Sequence, residues 1–188
     1  MTNVDCANCA GTACTTEDID STPRWCPRRV TQQAIAQAEK IRSEDPEVKR
    51  CAQVAAEVEK TGYRQWPRVR ELVEFCQRMG ISHLGVAFCV GLREETQALI
   101  EILESHGFLV DSVVCTMNGG CNPVGQALVL NERQTELNVI MGLCLGHDIL
   151  FQQFSEAPVT TLVVKDRVTC HNPLGPIING YWHDDLMG

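Results

Sequence analysis

The chain has 188 residues, with 24 acidic and 16 basic side chains and a net charge of −8. It is long enough to bury a core, and its acidity argues against a nucleic-acid partner, because such binding depends on neutralising phosphates. The N-terminus lacks the basic and apolar regions of a signal peptide, and no apolar run approaches the roughly 20 residues that span a bilayer. We therefore expect a cytoplasmic protein with no membrane partner.

Eleven cysteines are the most unusual feature of the composition. Disulfides are rare in a reducing cytosol, and an odd number leaves one thiol unpaired. Metal ligation or catalysis is therefore the better expectation, and thiolates suit zinc, copper(I) and iron–sulfur clusters.

The first segment, residues 1–29, has few aliphatic side chains and no periodic pattern, so burial alone does not fold it. It carries four closely spaced cysteines, Cys6, Cys9, Cys14 and Cys26, the last followed by Pro27. A zinc ribbon normally has two C-x2-C knuckles, whereas a close run of cysteines with a distant Cys-Pro is nearer to [4Fe–4S] binding. We predict a metal knuckle that holds a [4Fe–4S] cluster, with zinc as the alternative.

Residues 30–80 are predicted to be helical. One helix begins near Thr31, with Ile35 and Ile41 on its inner face. A second begins at Asp45-Pro46, because Asp is a good N-cap and Pro suits the first helical position. Its predicted buried stripe is Val48, Val54, Ala55 and Val58. A third runs over 67–79 and ends at a glycine. Cys51 and Cys76 fall on inner helix faces and are interpreted as core residues.

From residue 81 to residue 188, apolar strands alternate with amphipathic helices. Strands are predicted at 83–88, 108–114, 137–141 and 159–164, with helices at 93–106, 123–131 and 148–154, and a loop from about 172. This alternation predicts an α/β domain: a Rossmann-like parallel sheet of about four strands with helices on both faces. The turn after the first strand lacks the G-x-G-x-x-G fingerprint of dinucleotide binding.

A second group of cysteines follows the predicted strands. Open parallel sheets bind ligands at the carboxyl ends of their strands. The residues expected to meet there in a cofactor-binding crevice are Cys89, Cys115, Cys121 and Cys144. The crevice would hold a second cluster or a reactive thiol centre, although buried cysteine also serves as a small hydrophobe. Candidate catalytic residues nearby are Cys144, His147, Lys165 and Arg167, and Cys170 stays undecided.

Four stretches resemble an uncharacterised family of cysteine-rich microbial proteins that is described only as metal-binding. They are GVAFCVGL at 85–92, CNPVGQA at 121–127, LNVIMGLCLGHD at 137–148 and APVTTLVVKDR at 157–167. The N-terminal cysteine motif is similar to the opening of the same family. The resemblance implies metal binding and supplies no reaction.

We therefore expect an iron–sulfur protein with redox or sulfur chemistry on a small molecule at the crevice, and a redox protein or a small molecule as partner. One alternative is a non-enzymatic zinc protein. Another is an enzyme without a cluster, in which Cys144 or Cys121 is the nucleophile and His147 the base.

Overall fold

The computed structural model describes residues 3–11, 14, 18–117 and 119–187. The chain divides into two compact units, Met1–Glu57 and Val58–Gly188. The division predicted from composition, with boundaries after residues 29 and 80, stays a prediction. No helix in the described ranges is both long enough and apolar enough to cross a membrane.

The first unit consists of the cysteine-rich segment and the helices α1 (Pro27–Val30) and α2 (Gln32–Glu44), and α3 (Pro46–Gly62) begins in it. Asp45 caps α3 as predicted, because its carboxylate accepts hydrogen bonds from the Glu47 and Val48 N–H groups at 2.9 and 3.2 Å.

The predicted inner face of α2 is exposed, whereas that of α3 is buried at Val54 and Val58 but not at its start. Ile35, Ile41 and Val48 are exposed, and so is Cys51, whose assignment to the core was wrong. Helical periodicity marks one face of a helix, but it does not supply the element that would cover that face.

The second unit contains the sheet and its helices. Its elements, after the end of α3, are α4 (Arg68–Met79), β1 (His83–Phe88), α5 (Arg93–Ser105), β2 (Leu109–Val114), β3 (Thr116–Met117), β4 (Gly120–Cys121), α6 (Pro123–Glu132), β5 (Leu137–Met141), α7 (Leu145–Phe154), β6 (Val159–Val163), α8 (Leu174–Ile178) and α9 (Gly180–Met187).

The predicted four-stranded parallel sheet is confirmed, with the strand order β2-β1-β5-β6. Phe88 at the end of β1 lies opposite Val114 of β2 and Met141 of β5, so these strand ends are level. Helices cover both faces: α4 and α5 pack on one core and α6 and α7 on the other. The α/β fold class follows from this arrangement.

Two local features differ from the sequence-based expectation. The short hairpin β3–β4 follows β2, and two-residue strands are too short to show an alternating pattern. The tail predicted as a loop contains α8 and α9. Its Gly/Pro-rich composition favoured a loop, yet Pro173 immediately precedes α8, a place where proline is tolerated because the first helical N–H groups have no partner.

Candidate functional site

Four cysteines of the first unit line one cavity. The cavity has a volume of about 130 Å³, and its walls include the predicted metal ligands Cys6, Cys9, Cys14 and Cys26. Trp25 and Arg28 also line it, which adds one apolar and one cationic wall. The structure therefore brings the four N-terminal thiols of the prediction around a common space.

Local hydrogen bonds shape the walls of this cavity. The Cys9 N–H donates to the Cys6 carbonyl at 3.2 Å, so the C-x2-C stretch forms a tight turn. The Arg29 guanidinium donates to Thr22 Oγ1 at 2.8 Å and to the Asp20 carbonyl at 2.9 Å. These bonds hold the loop before Cys26 against α1. Arg29 therefore stabilises the loop before Cys26, whereas Arg28 lines the cavity.

The sulfurs surround a space without meeting at a point. Within the described ranges, no three Cys, His, Asp or Glu side chains are arranged to hold a single metal ion. A zinc ion with Zn–S bonds of about 2.3 Å brings its tetrahedral sulfurs to about 3.8 Å from one another. A polynuclear cluster instead fills a volume and takes one thiolate at each corner. Both arrangements use thiolate ligands of the kind that line this cavity.

The sheet of the second unit has its switch point between β1 and β5. The chain passes from β1 to β2 on one side, and later returns to β5 on the other side of β1. Ligands of open α/β sheets bind at such a point, beyond the carboxyl ends of the strands. Cys89 directly follows β1, and Cys144 is the N-cap residue of α7 in the connection after β5. Two cysteines thus flank the switch point.

Cys89 is buried and lies beside the Lys165 ammonium group. The pKa of the Cys89 thiol lies below its ordinary value. Burial alone would raise it, but hydrogen bonds from Lys165 and from the Gly91 N–H, together with the Lys165 charge, outweigh the effect of burial. Cys115 also hydrogen-bonds to Cys89 and favours its thiolate. Cys89 is therefore the crevice cysteine whose surroundings favour the charged form.

Cys115 lies between two other thiols. Its Sγ is 3.9 Å from the Cys121 Sγ, and it accepts a hydrogen bond from the Val90 N–H at 3.4 Å. Burial raises the pKa of Cys115 to about 11, and negative charge on Cys89 or Cys121 adds to the rise. Cys115 therefore holds its proton more tightly than an ordinary thiol does.

Arg167 completes the crevice. Its Nη2 donates to the Cys144 Sγ at 3.2 Å. This bond and the charge of a Cys144 thiolate raise the pKa of Arg167, and Cys89 and Cys121 contribute in the same direction. One guanidinium thus interacts with three of the four predicted crevice cysteines, and the fourth, Cys115, contacts Cys89 and Cys121.

The turn after β6 positions the two cations. The Asp166 carboxylate accepts from the Val168 and Thr169 N–H groups at 2.9 and 3.1 Å, and the Asp166 N–H donates to His171 Nδ1 at 3.1 Å. These bonds fix the backbone on both sides of Arg167. Sequence reasoning placed Asp166 at this edge with the two cations but did not identify it or His171 as a support of the turn, although Asp side chains commonly accept hydrogen bonds from the backbone two residues on.

Two residues of the prediction are not drawn into the crevice network. In the described part of the chain the His147 ring has no hydrogen-bond partner, and the role of a base for a cysteine nucleophile stays a prediction. Cys170 is exposed and lies in a left-handed turn with φ of +52°.

The chain was compared with known proteins. A sequence family described as "Protein of unknown function (DUF1847)" matches residues 26–120 and 116–162. The chain belongs to this family. An uncharacterized protein of Methanocaldococcus jannaschii, MJ0455, is 41% identical over 184 residues, which cover 88% of this chain and 92% of the relative. No solved structure matches the chain. The DUF1847 match includes Cys26 and all four crevice cysteines, and it ends before Lys165.

Proposed function

We propose that this DUF1847 protein binds a [4Fe–4S] cluster through Cys6, Cys9, Cys14 and Cys26 and transfers electrons through it. The observation that carries the proposal is the common cavity of these four thiols. Among the described residues before Pro27, only Thr22 and Cys26 are buried, so this segment has almost no apolar core of its own. Cysteine ligation to a cluster would supply the missing cross-links, as structural metal sites do in small domains.

Each side chain of the cavity has a role in this proposal. The four thiolates would take the iron sites, and the cluster would supply one-electron transfer. The Arg28 side chain places a positive charge on the cavity wall, which would offset the negative charge of a bound cluster. Trp25 excludes water from part of the wall. Burial, local charge and hydrogen bonds are the factors that set the potential of such a site.

The proposal is tested by metal analysis of the full chain prepared without oxygen. We expect about four iron and about four acid-labile sulfide per chain, with a broad visible absorption that bleaches on reduction. The Cys6→Ala variant loses most of this iron and absorption. The matched control is Cys51→Ala, since Cys51 is also an exposed cysteine of the first unit but does not line the cavity.

Zinc is the alternative occupant, and the same preparation distinguishes it. A colourless protein that carries one zinc per chain and neither iron nor sulfide contradicts the cluster. Iron that is retained in full by Cys6→Ala, or lost equally from Cys51→Ala, contradicts the assignment of the ligands.

At the crevice we propose redox or sulfur chemistry on a small molecule, with Cys144, Lys165 and Arg167 as the candidate residues around it. The support is the position of these groups at the switch point and the contact between Arg167 and Cys144. A second cluster on Cys89, Cys115, Cys121 and Cys144, a redox partner protein, and His147 as a base all stay predictions.

A further inference from the structure

Two thiols of the second unit are already placed for bond formation. The Cys115 and Cys121 Sγ atoms are 3.9 Å apart, in van der Waals contact. Cys115 is 2% exposed and Cys121 is exposed, so an incoming reagent reaches Cys121 first and Cys115 stands directly behind it. This is the arrangement of an attacking and a resolving thiol.

The backbone holds these two cysteines side by side across a short hairpin. Cys115 directly precedes β3 and Cys121 ends β4, and the Asn122 N–H donates to the Cys115 carbonyl at 2.8 Å. Gly119 in the connection has a φ of +87°, and a methyl group there would meet nothing within 4 Å. The space beside Gly119 is therefore open.

Cys89 is the other neighbour of Cys115, but it is less suited to be the partner. Both residues follow strands of the main sheet, and the Cys115 N–H donates to the Phe88 carbonyl at 2.8 Å, which fixes the two backbones. Cys89 is also buried and bonded to Lys165. The geometry thus favours Cys121 over Cys89.

We propose that Cys115 and Cys121 form a redox-active dithiol that reduces low-molecular-weight disulfides bearing carboxylate groups. The preference for carboxylates rests on Arg167 and Lys165, which place two cations at the crevice of an otherwise acidic chain. Arg167 is held at the crevice by its hydrogen bond to the Cys144 Sγ at 3.2 Å. An anionic disulfide is therefore attracted to the exposed sulfur that attacks it.

The reaction consists of two exchanges. Cys121 attacks one sulfur of the disulfide RSSR, the S–S bond breaks, and the first RSH leaves with the Cys121 proton. Cys115 then attacks the Cys121 sulfur, the bond to the substrate breaks, and the second RSH leaves with the Cys115 proton. The two cysteines lose two electrons and two protons, and the substrate gains both. An external dithiol returns the pair to its reduced state.

The sequence allows a direct test. One tryptic peptide, residues 94–133, contains Cys115 and Cys121 and no other cysteine, whereas Cys89 lies in the peptide 79–93. The reduced full chain is treated anaerobically with oxidised glutathione, quenched with acid, alkylated and digested. We expect most copies of the 94–133 peptide to carry no alkyl group and to be two hydrogens lighter than the dithiol form.

Variants and a second probe identify the residues and the substrate class. Cys121→Ser leaves Cys115 fully alkylated, and Cys115→Ser leaves a glutathione adduct on Cys121. The control Cys170→Ser, another exposed cysteine of the second unit, forms the disulfide as the wild type does. Oxidised glutathione reacts several-fold faster than cystamine, a cationic disulfide, and Arg167→Gln removes this difference.

Several results overturn the inference. They are a cross-link between the peptides 79–93 and 94–133, an unresolved glutathione adduct on wild-type Cys121, or equal rates with the two disulfides. A second cluster, seen as iron that is lost on Cys115→Ser, also overturns it. The proposed N-terminal cluster is judged separately, because its iron depends on Cys6 and not on Cys121.

Discussion

Cys76 lies in α4 with no exposed surface, among Leu72, Val73 and Leu84. Burial raises the pKa of its thiol from 9.0 to about 12, and the negative charge of Glu136 adds to this rise. The folded protein therefore holds the Cys76 proton more tightly than the unfolded chain does. Its stabilising contribution is complete below pH 9.0, declines as the pH rises further, and is lost as the pH passes about 12.

The size of this effect follows from proton linkage. The whole shift corresponds to roughly 4 kcal/mol of unfolding free energy. Between about pH 8 and about pH 10 the expected loss is about 1 kcal/mol, because only the unfolded chain releases the proton in that interval. Lysine and tyrosine titrations also act in this range, so the Cys76 contribution has to be isolated by difference.

The matched variant is Cys76→Ala, which removes the titrating group and leaves a small cavity. Urea unfolding of both proteins, followed by circular dichroism, gives their stability difference at each pH. We expect the wild type to be more stable near pH 8 and the gap to narrow by about 1 kcal/mol near pH 10. A gap that stays constant over this interval refutes the reasoning, since it means that Cys76 ionises as readily in the folded state as in the unfolded state.

Two further substitutions test other parts of the second unit. Gly85→Ala should lower the unfolding free energy by about 2–4 kcal/mol, because the new Cβ would overlap Asn138 Oδ1 and lie 2.9 Å from Leu130 Cδ1. The control is Gly146→Ala, whose new Cβ meets nothing within 4 Å. An equal loss of unfolding free energy in both variants contradicts this prediction. Lys165→Met should raise the pKa of Cys89, since burial then acts without the cation. This shift appears in the ultraviolet thiolate titration after subtraction of the corresponding Cys89→Ser protein, and an unchanged midpoint contradicts it.

The sheet could be predicted because local signals agree with the tertiary result. The apolar run at 83–88 is β1, and Gly80 ends α4 in the left-handed conformation that glycine adopts at low cost. The capping signal at Asp45 also identified the start of α3. Strong local preferences of this kind are the same in any tertiary context, so sequence alone reveals them.

Burial of the α2 face and of Cys51 could not be predicted in the same way. Ile35, Ile41 and Cys51 have the spacing of an inner face, and all three are exposed. The hairpin β3–β4 gave no periodic signal at all. These features depend on which other elements lie nearby, and a pattern within one helix or one short turn carries no information about that.

The sequence by itself determined that four cysteines gather near the N-terminus and that others follow consecutive strands. Parallel strands place their carboxyl ends at one edge, so the spacing was enough to bring Cys89 and Cys144 to the same crevice. Only the tertiary structure decided the pairwise contacts: Cys115 touches Cys121, whereas Cys144 bonds to Arg167. The physical reason is that such contacts require an accuracy of about 1 Å, and the turn after β6 and the hairpin β3–β4 supply it through hydrogen bonds between residues that no periodic pattern connects.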